Sequence, residues 1–163
     1  MEVLNRSPDD RIAVGKALQG LEGNLFTSES GALPYYSEWK TIDGLGLNSE
    51  RIAHGTPRLT VLNDLKPDLM MRIIGNKIDK NSYLLKYAQK NNYPSIAATR
   101  KDRETKHIYY IKPTSELCKK VIIRMKNIKD KFKADLSETI PNSIDVKSID
   151  IFDFLDAEER VCK

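Results

Sequence analysis

Short apolar runs alternate with helix-like segments along most of this chain, and that alternation restricts the fold more than any other feature. Ile12, Val14, Ala17, Leu18 and Leu21 form a helical stripe behind Ser7 as N-cap, Pro8 at the first helical position, and Asp9 and Asp10 in the first turn; Gly23 ends it. Asn24 to Ser28 reads as a short strand, residues 32–39 as one or two helical turns, and Lys40 to Asp43 as a second strand closed by Gly44 and Gly46. Asn48 is expected to cap a short helix over residues 49–54, and further helix follows from Pro57 to Lys66. The run DLMMRII, residues 68–74, has the continuous apolar character of a buried strand. Another helix starts at Asn81 or Ser82 and reaches Gln89. Strands at 95–99 and 107–112 flank a polar turn as in a hairpin, and Thr114 or Ser115 caps a long basic helix. Strands separated by helices imply an α/β fold: a single three-layer domain with a mostly parallel sheet, an antiparallel hairpin edge, and helices on both faces.

A chain of 163 residues suits one such core. The expected division is an α/β domain over residues 1–133 and an acidic extension over 134–163, which packs on the domain or is partly flexible. Residues 133–163 hold eight acidic and four basic residues, so the preceding 132 residues carry +8 against a net charge of +4 for the whole chain. Much of the excess falls in Lys119 to Lys133, where bases recur around apolar residues as on an amphipathic helix with a solvated face. Phe132 is the only aromatic or glycine interleaved with those bases, so a nucleic-acid groove is disfavoured; an anionic membrane surface is the better-matched partner.

No apolar run approaches the ~18 to 20 residues needed to cross a bilayer. The first residues lack the basic and apolar regions of a secretory leader, which fits a cytosolic protein or a piece of a larger one. Cys118 falls in a helical segment and Cys162 near the end; two cysteines are too few for a disulfide framework and are not at metal-ligand spacing, so a bridge is not the expected state.

Motifs with a defined chemistry are absent: there is no Walker loop, no dinucleotide fingerprint, no paired CxxC and no HExxH. The segment DGLG lacks the spacing that puts backbone amides on a pyrophosphate. No cofactor, metal site or catalytic residue is therefore assigned. The densest concentration of functional side chains is Thr27 to Gly55, with Tyr35, Tyr36, Asp43, Asn48 and His54 as candidate ligand-binding residues. Asp43 ends a strand where α/β sheets place ligand groups, or else accepts amide hydrogen bonds from the following turn, which is the favoured reading. The two tyrosines could stack on a sugar, although adjacent rings in a compact segment more often divide into one buried and one exposed. His54 suits the C-terminal end of its short helix better than proton transfer.

The segment SESGALPYYSEWKTIDGLGLNSERIAHG, followed by a short helix and KPDLMMRI, resembles the soluble domain that follows the last transmembrane helix of C-type, polyprenyl-phosphate-sugar-dependent membrane glycosyltransferases, in the arabinofuranosyltransferase-like or protein-mannosyltransferase-like groups. The matching residues are Ser30, Gly31, Pro34, Tyr35, Tyr36, Ser37, Ile42, Asp43, Gly46, Leu47, Asn48, Ile52, Ala53, His54, Lys66, Pro67 and Asp68, within residues 8–75. The resemblance implies a noncatalytic accessory domain on the extracytoplasmic face of a membrane. Its partners would be the transmembrane part of the same polypeptide and a glycan acceptor or lipid-linked sugar. Two alternatives remain open: a free-standing small hydrolase with Asp43 and His54 as acid and base, or a basic partner- or nucleic-acid-binding module built on Lys119 to Lys133.

Overall fold

The expected order of elements is realised. A computed structural model describes residues 10–28, 31–74, 81–99, 106–139 and Cys162. The elements are α1 (Asp10–Leu18), β1 (Asn24–Thr27), α2 (Ala32–Ser37), β2 (Lys40–Asp43), α3 (Glu50–Ala53), α4 (Arg58–Leu65), β3 (Leu69–Ile74), α5 (Tyr83–Lys90), β4 (Ser95–Thr99), β5 (Lys106–Ile111) and α6 (Cys118–Thr139).

The sheet has the strand order β2-β1-β3-β5-β4. β1 is parallel to both β2 and β3, whereas β5 is antiparallel to both β3 and β4. Four of the five strands thus point one way and β5 alone is reversed, which is the mostly parallel sheet with a hairpin edge that the sequence predicts.

Side-chain alternation along the strands divides the core into two layers. Leu25, Leu69, Met71, Tyr109 and Ile111 face α1, α2 and α6, where Val14, Leu18, Leu33, Val121 and Met125 cover them. Phe26, Met70 and Tyr110 face Ile52, Val61, Leu62, Leu84 and Tyr87 from α3, α4 and α5. Burying each of the large side chains contributes about 1.5 to 3 kcal/mol. On the first face α1 and α2 pack closely at Gly15, where a Cβ would come within 2.8 Å of the Tyr36 Cβ and 3.1 Å of the Leu33 carbonyl oxygen.

The second face also buries phenols. The Tyr87 hydroxyl donates to the Leu62 carbonyl (3.1 Å) and that of Tyr93 to the Pro67 carbonyl (2.9 Å), so both are paired in the core. Burial raises the pKa of Tyr87, Tyr93 and Tyr110, because a phenolate would lose its hydration there.

Two expectations need correction at the C-terminal side. The long helix begins at Cys118, so neither Thr114 nor Ser115 caps it; the Ser115 hydroxyl instead accepts the Leu117 N–H and donates to Asp68. It also continues past residue 133 to Thr139, because Ala134, Leu136 and Glu138 favour helix and the first breaker is Pro141, which restricts the residue before it. Of the acidic extension beyond that helix, only Cys162 lies among the described residues.

The second correction concerns the cysteines. Cys118 and Cys162 form a disulfide, with their Cα atoms 5.8 Å apart and a sequence separation of 44. Spacing alone could not reveal it. Cys118 is fully buried under the first face, and Cys162 returns to pack against that same cluster.

Candidate functional site

Asp43 ends β2 and is only 2% exposed. Its Oδ1 accepts the Leu45 N–H (2.8 Å), and its Oδ2 accepts those of Leu47 (3.1 Å) and Asn48 (3.3 Å). The Asp43 N–H donates to Ser49 Oγ at 2.7 Å, so the residue is held at both ends. This is the turn-organising arrangement favoured from the sequence. Gly46 adopts φ +88° in this turn, and a Cβ there would lie 3.0 Å from Ile52 Cγ2, which makes glycine the residue that fits.

The product is a rigid loop with two apolar side chains turned outward. Leu45 is 60% exposed and Leu47 78%. Beneath them Gly44 packs on Phe26 and Tyr83, the Arg58 guanidinium donates to the Gly44 carbonyl, and its carbon lies 5.8 Å above the Tyr83 ring. Burial raises the Tyr83 pKa, partly offset by the charge of Arg58.

The five sequence candidates do not converge on one point. Asp43 and Asn48 meet through the backbone N–H hydrogen bond described above, but the exposed Asn48 does not cap α3; Ser49 occupies that position. His54 is the exposed C-cap of α3, and among the described residues no hydrogen bond joins it to Asp43. Tyr35 and Tyr36 lie on α2 in the opposite layer, edge-to-face with centroids 5.0 Å apart. Tyr35 is exposed, whereas Tyr36 is half-buried with Lys16 Nζ 5.2 Å from its ring centre. Ser30, part of the matching segment, lies outside the described residues.

One polar cluster was not evident in the sequence. Asp10, at the start of α1, is 4% exposed, and its oxygens lie 2.7 and 2.9 Å from His107 Nδ1. The Tyr109 hydroxyl donates to Asp10 Oδ2 at 2.7 Å. A carboxylate only accepts, so the imidazole proton shared with it sits on Nδ1. His107 pairs with Ile73, which puts this cluster at the carboxyl rim of the parallel strands. The alternation in HIYYI placed His107 and Tyr109 on one face of β5; what the sequence lacked was any link to Asp10, 97 residues earlier.

At the other end of the sheet, the segment between α1 and β1, the end of α2 and the starts of β1 and β2 line an open cleft of about 600 Å³. It lies far along the strands from both polar clusters. Among the described residues, no group of three or more histidines, cysteines or acids could hold a metal ion, and no helix is long and apolar enough to cross a membrane.

A family model described as a domain of unknown function, DUF8728, matches residues 6–116. The chain belongs to the DUF8728 family. No curated protein and no solved structure matches it. The DUF8728 match runs through all five strands and stops before α6, so it takes in the sheet, the Asp43 turn, the Asp10 cluster and the cleft.

Proposed function

We propose that this chain is a noncatalytic accessory domain of a polyprenyl-phosphate-sugar-dependent membrane glycosyltransferase, lying on the extracytoplasmic face and contacting the glycan acceptor or the membrane-side active site. The observation that carries the reading is the Asp43 turn. Its carboxylate is occupied by three backbone amides and holds Leu45 and Leu47 in solvent, an arrangement suited to docking rather than to acid–base chemistry. The residues of the resemblance from Gly31 to His54 also follow one another through α2, β2, the turn and α3.

Two further features support the location. A disulfide between Cys118 and Cys162 fits an oxidising compartment. Exposed Lys119 and Lys120 on α6 would be attracted to anionic lipid headgroups.

The test is differential alkylation of the two cysteines in the source cell, combined with membrane fractionation. The expected result is an oxidised pair in the membrane fraction. Reduced thiols in a cytosolic fraction would refute the reading.

A further inference from the structure

The cleft at the amino-terminal ends of β1 and β2 contains a residue that is costly to the fold where it stands. Glu38 is the C-cap of α2 with φ 60° and ψ 17°, the left-handed conformation that glycine or asparagine ordinarily supplies at this position. It also sets a negative charge at the carboxyl end of a helix, where the helix dipole opposes it. Lys66 ends α4 in the same backbone conformation, but its positive charge is favourable there. Glu38 is thus disfavoured on two counts.

Its side chain is nevertheless held in place. Gln19 Nε2 donates to Glu38 Oε1 at 2.9 Å, and the Gln19 carbonyl is fixed in turn by Arg124 Nη1 at 2.7 Å. An exposed glutamate with no role would gain nothing from this support. A strained residue kept in one geometry at the rim of a cavity is the pattern of a binding group.

The remaining lining defines what could bind. Glu22 and Asn24 add acceptors, and Asn24 and Lys40 add donors; Trp39, only 5% exposed, closes the floor with its indole N–H already engaged by the Leu18 carbonyl. Two carboxylates against one ammonium leave the lining at −1, which repels phosphates and carboxylates. A volume of about 600 Å³ falls within the ordinary range for small-molecule sites. Carboxylates accept well from adjacent hydroxyls, because each of their two oxygens can take one O–H.

We propose that this cleft is a carbohydrate subsite that takes a neutral mono- or disaccharide, with Glu38 accepting hydrogen bonds from neighbouring hydroxyls. The inference rests on the accessory-domain reading and gives it a binding site, at the end of the sheet remote from the Asp43 turn.

The experiment is ligand-observed NMR of the purified chain against neutral pentoses, hexoses and their disaccharides, with inorganic phosphate as control, on the wild type and Glu38→Gly. Glycine removes the carboxylate while relieving the backbone, so the variant should melt at the same or a higher temperature and bind at least about tenfold more weakly. Silence of the wild type toward every sugar, equal binding by Glu38→Gly, a lowered melting midpoint in that variant, or phosphate binding as tight as sugar binding would each overturn the proposal. The accessory-domain reading fails by a different result, reduced thiols in a cytosolic fraction, so the two failures are distinguishable.

Discussion

Replacing Asp43 with alanine should unfasten the turn that carries Leu45 and Leu47. The carboxylate accepts three amide hydrogen bonds at 2.8, 3.1 and 3.3 Å, and the aspartate itself is 2% exposed. A hydrogen bond to a charged group contributes about 1.5 to 3 kcal/mol, and a donor left dry costs a similar amount. The three amides belong to residues that are all exposed, so water can reach them once the turn opens. The net loss is therefore about 2 to 3 kcal/mol rather than the sum of three bonds. For a domain of this size that lowers the melting midpoint by about 4 to 12 °C. Asp43→Asn keeps one accepting oxygen and should fall between the two. Thermal unfolding by circular dichroism reads the midpoint, and hydrogen exchange at the Leu45, Leu47 and Asn48 amides reads the turn. An unchanged midpoint together with unchanged exchange would refute the claim that this carboxylate organises the loop.

In the Asp10 cluster, Tyr109→Phe and His107→Ala each remove one donor to a buried carboxylate and should each cost about 1.5 to 3 kcal/mol, with His107→Ala the larger because it also leaves a void, both measured by denaturant unfolding. Tyr87, Tyr93 and Tyr110 have raised pKa values in the folded state, so the unfolded chain loses these protons first; their contribution is fully present below the ordinary phenol pKa near ~10 and is lost as pH rises above it. Tyrosinate absorbance at alkaline pH should therefore rise together with unfolding rather than ahead of it. Reducing the Cys118–Cys162 bridge opens a long loop and should destabilise the chain by about 2 to 4 kcal/mol, visible as a lower melting midpoint in the presence of a thiol reductant.

The layer architecture was legible because each strand is a short apolar run bounded by turn residues, so period and punctuation agree along most of the chain. Asp43 was legible for a related reason: an aspartate followed by Gly44 and Gly46 carries local turn chemistry, and its partners lie within five residues. The Asp10 cluster has no such local signature. It exists only after β5 has inserted beside β3 in antiparallel register and α1 has packed across them, two long-range events that no window of sequence contains. Glu38 was hidden differently, since a left-handed C-cap announces itself when it is glycine and not when it is glutamate. The disulfide depended on where residue 162 sits relative to α6, which spacing does not encode.

That bridge makes the intervening stretch of polypeptide a covalent ring attached to the start of α6. A protease that cuts once anywhere between residues 119 and 161 releases nothing, because both fragments remain joined through the sulfurs. Such a nicked molecule would run as one species without reductant and as two with it. Shedding the acidic segment requires two cuts, or one cut and two electrons.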